Sequence, residues 1–335
     1  MAGEPPQKVS SRVTAWAIFD RIVADAAPGG VHTNPWLRGT DGGLTYVPDF
    51  QVLRRVLGVP LYLDVPSTTG VPALALDVWL SYELRRAGFD VDAVWPRPSD
   101  PRIMPSAIAN LLAGLPQRER RVLEGRLRSK AMKGVVGSSA SVLGKHYMKQ
   151  VDVVMSDWET GPELLISTKR MDSSFGKNAA NRVEESYGDA KNLRLRHPLA
   201  ALGFVYGLRS TILTTEPDKA EWLIDLLQKL GQEDDAYHAV ALVMIDYDAE
   251  VVDEDDVTIE ADADESDMLF DVVDVATAAV DEALAALPPV AIRHDTVPAP
   301  LQPARFLATM ARRIVDTTPI TRHREARRRM AEARA

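Results

Sequence analysis

Apolar residues recur along the chain with two spacings, one typical of amphipathic helices and one typical of buried strands. Helical spacing after Ser10-Ser11 predicts a first helix that ends at Pro28-Gly29-Gly30. The same pattern predicts further helices over 50–57, 73–88, 117–134, 178–195, 218–230 and 267–287. Nearly continuous apolar runs predict buried strands at 199–208 and 239–247, and a shorter strand is predicted at 61–65.

The stretch from Asp152 to Lys169 has the pattern of a β-hairpin. An acidic residue opens an apolar run, a polar turn with Gly161-Pro162 follows, and a second apolar run ends in Ser167-Thr168-Lys169. Alternation along the second strand places Ser167 and Lys169 on one face. A carboxylate and a lysine on adjacent strands are the smallest set of side chains that can hold a divalent metal beside a phosphodiester. The hairpin therefore predicts a nuclease site.

The order of the predicted elements indicates an α/β fold with a mixed β-sheet flanked by helices. A soft boundary between Pro101 and Pro116 separates an N-terminal, mainly helical α+β region, 1–112, from a larger region, 113–317. Residues 318–335 are predicted to form a basic C-terminal helix or tail. The acidic run at 250–266 is low in complexity, which is typical of a solvated loop.

The amino-acid composition argues against cysteine-based sites and membrane spans. The 335 residues include no cysteine, which excludes disulfides and thiolate metal sites. The first residues lack the pattern of a signal peptide, and no apolar run is long enough to span a bilayer. These features predict a cytoplasmic location and no membrane partner.

The formal net charge of −9 argues against a nucleic-acid partner, but the charge is unevenly distributed. Residues 231–290 contain 19 acidic residues and no Lys or Arg. Residues 118–209 contain 17 basic and 10 acidic residues. A basic central region is compatible with a polyanionic partner such as DNA.

The residues of the hairpin resemble the PD-(D/E)XK nucleases, the family that includes most type II restriction endonucleases. The family pattern is an Asp at one strand and an acid-x-Lys triplet on the next, with helices before and after. Asp152 matches the Asp, and Ser167-Thr168-Lys169 matches the triplet with serine in place of the acid. The proline of the family name is absent, because Gln150-Val151 precede Asp152. The resemblance covers roughly residues 120–210.

A subset of the family has Ser-x-Lys on the strand and a glutamate moved to the following helix. Glu184 and Glu185 lie on that predicted helix, and the residues alone leave open which of them is the ligand, since they point about 100° apart. The family often has a glutamate on the helix before the Asp strand, and Glu124 is the candidate. Glu163 is a weaker alternative, because it lies further back on the strand of Ser167.

The resemblance implies a restriction-endonuclease-like core and a Mg²⁺-dependent endodeoxyribonuclease, with Mn²⁺ as a substitute metal. Asp152 and one glutamate of the following helix would bind the metal, helped by Glu124 of the helix before. Ser167 would fill the place of the missing acid. Lys169 would act on the attacking water and the phosphate. Hydrolysis of double-stranded DNA would leave a 5′ phosphate.

Basic residues flank the hairpin and are expected to contact DNA backbone phosphates, which position DNA without reading its sequence. They are Lys145, His146, Lys149, Arg170 and Lys177. For any single one of them, a solvated surface position is the alternative. Because palindromic targets are usually bound by two-fold dimers, a homodimer is expected. Residues 1–112 would contribute target recognition or dimer contacts.

Other functions remain open from the sequence. Serine in the triplet also fits a catalytically silent DNA-binding module on a nuclease-like scaffold. A repair or recombination nuclease of the same fold would have the same residues. A third possibility is a protein-interaction component whose acidic block binds a basic partner or shields the DNA cleft.

Overall fold

The computed structural model describes residues 10–40, 42–66, 69–127, 136–137, 139–173, 175–248 and 275–333, without the side chains of 176–180. The predicted acidic loop at 250–266 lies outside these residues. So do positions 128–135, which include the end of the helix predicted over 117–134, and positions 267–274 of the helix predicted over 267–287.

Helices alternate with strands through most of the described chain. The helices are α1 (Ser11–Ala26), α2 (Phe50–Tyr62), α3 (Val71–Arg86), α4 (Ser106–Gly114), α5 (Gln117–Leu127), α6 (Phe175–Arg194), α7 (Ile212–Thr215), α8 (Pro217–Leu230), α9 (Thr277–Ala285), α10 (Pro303–Thr317) and α11 (Arg324–Ala331). The strands are β1 (Trp36–Arg38), β2 (Leu44–Tyr46), β3 (Val94–Trp95), β4 (Ala140–Leu143), β5 (Met148–Val151), β6 (Val153–Asp157), β7 (Gly161–Met171), β8 (Ala201–Arg209), β9 (Ala239–Asp246) and β10 (Ala291–Ile292).

A mixed sheet of six strands forms the centre of the fold, in the order β10-β9-β8-β7-β6-β3. Strands β7, β8 and β9 are parallel, and the remaining pairs are antiparallel. Strands β6 and β7 form the predicted hairpin, with Val153 opposite Ile166. Parallel neighbours need a crossover, which α6 provides between β7 and β8 and α8 provides between β8 and β9. The prediction of an α/β fold with a mixed sheet flanked by helices is confirmed.

Helices cover both faces of this sheet. Leu164 and Ile166 of β7 pack with α1, α2, α3 and α10, whereas Leu165 faces the side of α6 and α8. Successive side chains of a strand point to opposite faces, so a strand covered on both sides is apolar almost throughout. Each fully buried Leu or Ile contributes about 1.5–3 kcal/mol. The first cluster runs from Ala15 to Ala326 and therefore crosses the boundaries predicted near 112 and 317.

The strand predicted at 61–65 is wrong. Helix α2 continues through Pro60 and ends at Tyr62. Val56, Leu57 and Val59 are fully buried, so packing against the core keeps this segment helical despite its β-branched residues and the proline. Strand propensity is a weak preference that such packing overrides.

Candidate active site

Two carboxylates meet at Thr168, in the second half of β7. The backbone N–H of Thr168 donates to Oδ2 of Asp152 at 2.7 Å, and its hydroxyl donates to Oδ1 of Asp77 at 2.6 Å. Asp152 lies in the bend between β5 and β6, whereas Asp77 comes from α3, which packs on β6 and β7. One residue thus holds both carboxylates, each through one oxygen.

Burial shifts the proton affinity of both acids. The pKa of Asp77 lies well above its ordinary 3.8, because burial disfavours the charged form and the negative charge of Asp152 adds to that effect. Burial also raises the pKa of Asp152, while the bond from Thr168 and the charges of Lys169 and Lys149 lower it. A buried carboxylate next to a second carboxylate favours a bound proton or a bound cation. The pair is therefore suited to a bound proton or to a divalent metal.

Lys169 and Ser167 project from the face of β7 opposite to Thr168. Lys169 acts electrostatically on both carboxylates, and within the described ranges no acid lies within 4.0 Å of its ammonium. Ser167 is buried and hydrogen-bonds to the hydroxyl of Tyr237, which itself donates to the carbonyl oxygen of Ser186 at 2.9 Å. The Ser167 hydroxyl thus joins β7 to the start of β9 and to α6.

Helix α6 turns Asp189 towards the sheet. Asp189 accepts a hydrogen bond from the Tyr147 hydroxyl at 3.0 Å and pairs with the Lys149 ammonium at 2.7 Å. Glu184 and Glu185 are exposed, and Glu184 lines a cavity of about 310 Å³ between α6 and α8. The spacing of the buried residues along α6 explains why both glutamates are exposed. Its buried positions, Val183, Ser186, Ala190 and Leu193, follow helical spacing and leave 184 and 185 on the outer side.

The other two candidate acids lie away from Thr168. Glu124 is on α5, where it pairs with Arg120 at 3.4 Å. Glu163 is buried, accepts a hydrogen bond from the Thr160 hydroxyl at 2.7 Å and lies 2.9 Å from Nε2 of His323. Neither is among the groups that set the pKa of Asp77 or Asp152. The structure brings together Asp152 and Lys169 of the predicted set, and adds Asp77 to them.

The hairpin of β4 and β5 presents basic residues beside Asp152. Lys145 and His146 lie at its tip and are exposed. The side-chain oxygen of Asn192 accepts hydrogen bonds from the backbone N–H groups of His146 at 2.8 Å and Tyr147 at 3.4 Å, which fixes the tip to α6. Lys149 follows on β5 and contacts Asp189. The tip of the hairpin is therefore fixed to α6, and its second strand leads directly into Asp152.

Arg170 and Lys177 complete the predicted DNA contacts. Arg170 is buried, pairs with Asp172 at 2.9 Å and donates to the carbonyl oxygen of Pro72 at 3.3 Å. Its guanidinium thus ties β7 to the start of α3 inside the fold. Lys177 lies in α6, and its side chain is outside the described residues.

Neither Asp77 nor Asp189 was among the site residues predicted from the sequence, although the pattern around each of them indicates a buried carboxylate. Asp77 is a single acid inside the apolar run ALALDVWL, and a buried carboxylate usually has a partner or a function. Asp189 falls in phase with the apolar positions of its helix, three residues after Ser186. Both signals are visible without a structure.

The acids near Thr168 form a pair and not a larger cluster. Among the residues described, no group of three or more His, Asp or Glu side chains is arranged to hold a metal ion. Magnesium keeps several of its waters and needs only one or two protein carboxylates, so the pair of Asp77 and Asp152 fits this ion. In the described part of the chain, no helix is both long and apolar enough to cross a membrane.

Three comparisons with known proteins were made. No family model, no curated protein and no solved structure matches this chain. The geometry around Thr168 is therefore the main basis for a functional proposal.

Proposed function

We propose that this protein is a metal-dependent endodeoxyribonuclease that resembles type II restriction endonucleases and hydrolyses phosphodiester bonds of double-stranded DNA. The observation that carries the proposal is the convergence of Asp77 and Asp152 on Thr168, together with the charge of Lys169, which acts on both carboxylates. Asp152 and Lys169 resemble the Asp and the Lys of the PD-(D/E)XK pattern. The second acid of the proposed site is Asp77, which comes from α3 and not from α5, the helix of Glu124.

Asp77 and Asp152 would hold Mg²⁺, or Mn²⁺ in its place, because both supply hard carboxylate oxygens. The bound cation supplies stabilisation of negative charge on the scissile phosphate. Lys169 adds a positive charge that acts on both carboxylates, and it would orient the phosphate and the attacking water. Both acids must be ionised to bind a cation, so binding is expected to release protons at low pH.

The β4–β5 hairpin is the proposed contact with the DNA backbone. Lys145 and His146 are exposed at its tip, and the tip is fixed by Asn192. A basic projection that is fixed to the fold would place the backbone of the substrate in a defined register. The N-terminal region contributes Asp77 through α3, in addition to its proposed part in recognition or in a homodimer.

A catalytically silent DNA-binding module is the second candidate. The observation that favours it is Ser167, which stands where the family has an acid and whose hydroxyl contacts Tyr237. Calorimetry with Mg²⁺ and Mn²⁺ discriminates the two candidates. A nuclease requires a metal site that is lost in Asp77→Asn and Asp152→Ala, whereas a silent module shows no such site.

Cleavage of genomic DNA tests the proposal directly. Wild type, Asp152→Ala and Lys169→Ala are incubated with modified and unmodified genomic DNA in Mg²⁺, and the cut ends are mapped. Discrete ends support a restriction enzyme, and dispersed ends support a repair or non-specific nuclease of the same chemistry. Glu185→Gln is the matched control and should cut as wild type does. Equal cutting by all four proteins overturns the assignment of the site.

A further inference from the structure

Three basic side chains lie near one another towards one end of the parallel strands. Lys169 lies nearer the other end. Arg194 comes from the end of α6, His238 precedes β9, and Arg313 comes from α10. His238 bonds to Leu202, which pairs with Leu165 of β7, whereas Lys169 pairs with Tyr206. The two places are thus four residues, or about 13 Å, apart along the strands.

The bond to Leu202 fixes the tautomer of His238. The backbone N–H of Leu202 donates to Nδ1 of His238 at 2.9 Å, so this nitrogen carries no proton. A neutral imidazole must then carry its proton on Nε2. That nitrogen lies 3.1 Å from Nη1 of Arg194, and a guanidinium has donors only. Two donors therefore face each other with no acceptor between them.

Arg313 adds a third donor near this pair, close enough for its charge to act on His238. Its Nε is buried and has no hydrogen-bond partner in the described part of the chain, while its Nη2 makes one long bond, 3.4 Å, to the carbonyl oxygen of Pro198. Arg194 has one acceptor for Nη1, the carbonyl oxygen of Ala236 at 3.1 Å. The Nε of Arg313 is thus a buried donor without an acceptor among the described residues, and such donors often mark a bound ion or water.

The charges at this place are also unbalanced. Burial and the charge of Arg194 lower the pKa of Arg313, against the opposite effect of the exposed Asp316. Burial, Arg313 and Arg194 lower the pKa of His238 to about 4. Within the described residues, no carboxylate lies within 4.0 Å of either guanidinium. A water molecule would satisfy the donors but would leave the two positive charges repelling each other.

We propose that Arg194, His238 and Arg313 form a binding site for a phosphate group, either free or at the end of a nucleotide. Guanidinium groups bind phosphate through paired, charge-assisted hydrogen bonds, and an Nε2–H adds a directional neutral donor. The oxyanion would separate the facing donors and neutralise the two arginines. The site is distinct from the pair of Asp77 and Asp152 and does not depend on the proposed nuclease activity.

The test follows the side-chain ¹⁵N and ¹H signals of His238 in the full-length protein at constant ionic strength. Inorganic phosphate, adenosine 5′-monophosphate and adenosine are titrated against a chloride reference. The Nε2–H signal should shift with millimolar inorganic phosphate and not with adenosine. An equal or larger shift with adenosine 5′-monophosphate supports a nucleotide ligand, and a shift with inorganic phosphate alone supports a free oxyanion.

Matched variants decide whether the response belongs to this site. Arg313→Gln and Arg194→Lys should each weaken phosphate binding by about tenfold, the effect of losing one charge-assisted hydrogen bond. Arg305→Gln removes an exposed arginine from the same helix and should leave binding unchanged, as should Asp152→Ala at the carboxylate pair. The proposal is overturned if phosphate leaves the wild-type His238 signals in place, or if Arg305→Gln weakens binding as much as Arg313→Gln.

Discussion

Asp77 and Asp152 bind the same residue, Thr168, although one lies on a helix and the other in the bend between two strands. The backbone N–H holds Asp152, and the side-chain hydroxyl holds Asp77. Because the N–H and the hydroxyl belong to one residue, the relative position of the carboxylates is fixed by the geometry of β7. Pre-positioned acids of this kind bind a cation without a large cost of reorganisation.

Replacing Asp77 should abolish most metal-dependent cleavage. Asp77→Asn keeps an oxygen that accepts from Thr168 but removes the charge that would hold Mg²⁺, so we expect cleavage to fall by about a hundredfold or more. The rate of plasmid cleavage in Mg²⁺ measures the effect. Glu184→Gln is the control, and its activity should stay within about twofold of wild type. A large loss in Glu184→Gln with an active Asp77→Asn would move the metal site to α6.

The stabilising effect of Mg²⁺ should grow with pH. The pKa of Asp77 is raised in the folded protein, so its contribution to stability is fully present below 3.8 and is lost as pH rises through the raised value. Mg²⁺ binds the ionised form and should offset that loss. Urea unfolding with Mg²⁺ or EDTA, from about pH 5 to about pH 8, measures the difference. In Asp77→Asn the difference should become small and independent of pH; an unchanged difference contradicts the assignment.

Removal of the Lys169 charge should separate catalysis from metal binding. Lys169→Met keeps the apolar stem and loses the ammonium, so cleavage should fall by about a hundredfold or more. Affinity for Mg²⁺ should stay the same or increase, because the carboxylates lose a competing positive charge. Calorimetry and cleavage rates are measured on the same preparation. Lys145→Met should instead weaken DNA binding and reduce its salt slope by about one, with Mg²⁺ affinity unchanged.

Gly144 is required for docking of the β4–β5 hairpin. A Cβ at this position would lie 2.1 Å from Nδ2 and 2.4 Å from Cγ of Asn192, the residue that holds the hairpin tip. Gly144→Ala should therefore reduce the free energy of unfolding by about 1–3 kcal/mol and weaken DNA binding. Gly188→Ala, on α6 with open space at its Cβ, should be neutral or slightly stabilising. Urea unfolding of both variants checks the contrast.

His32 should make the fold sensitive to acid. Burial, followed by the charges of Arg85, Arg329 and Arg86, lowers the pKa of His32 from 6.5 to about 4. Its contribution to stability is therefore present above 6.5 and is lost as pH falls towards 4. His32→Asn should lose less stability than wild type in that interval. The exposed His146 is the control, and His146→Asn should follow the wild-type pH curve.

Local features of the site were predictable from the sequence. The hairpin, the position of Asp152 at its start and the position of Lys169 near its end depend on alternation and turn residues within one short stretch. The same holds for the central sheet, because long apolar runs and crossover helices determine its class. The extent of α2 was not predictable from propensity, since burial of Val56 and Leu57 decides it.

Long-range features of the site were not predictable in this way. The contact of Asp77 with Thr168 depends on how α3 lies across the sheet, and no spacing rule connects residues so far apart in the chain. The face of α6 that points into the protein was predictable in part. The resemblance directed attention to Glu184 and Glu185, whereas the apolar phase of the helix turns Asp189 inwards. Periodicity would have been the better guide there.

The core that crosses the predicted boundaries has a consequence for the assembly of the site during synthesis. Asp77 and Asp152 reach Thr168 only when α3, β6 and β7 have packed together, and the same cluster continues to α10 and α11. If the proposed activity is correct, an unfinished chain leaving the ribosome has no working site. Heat inactivation should then coincide with global unfolding.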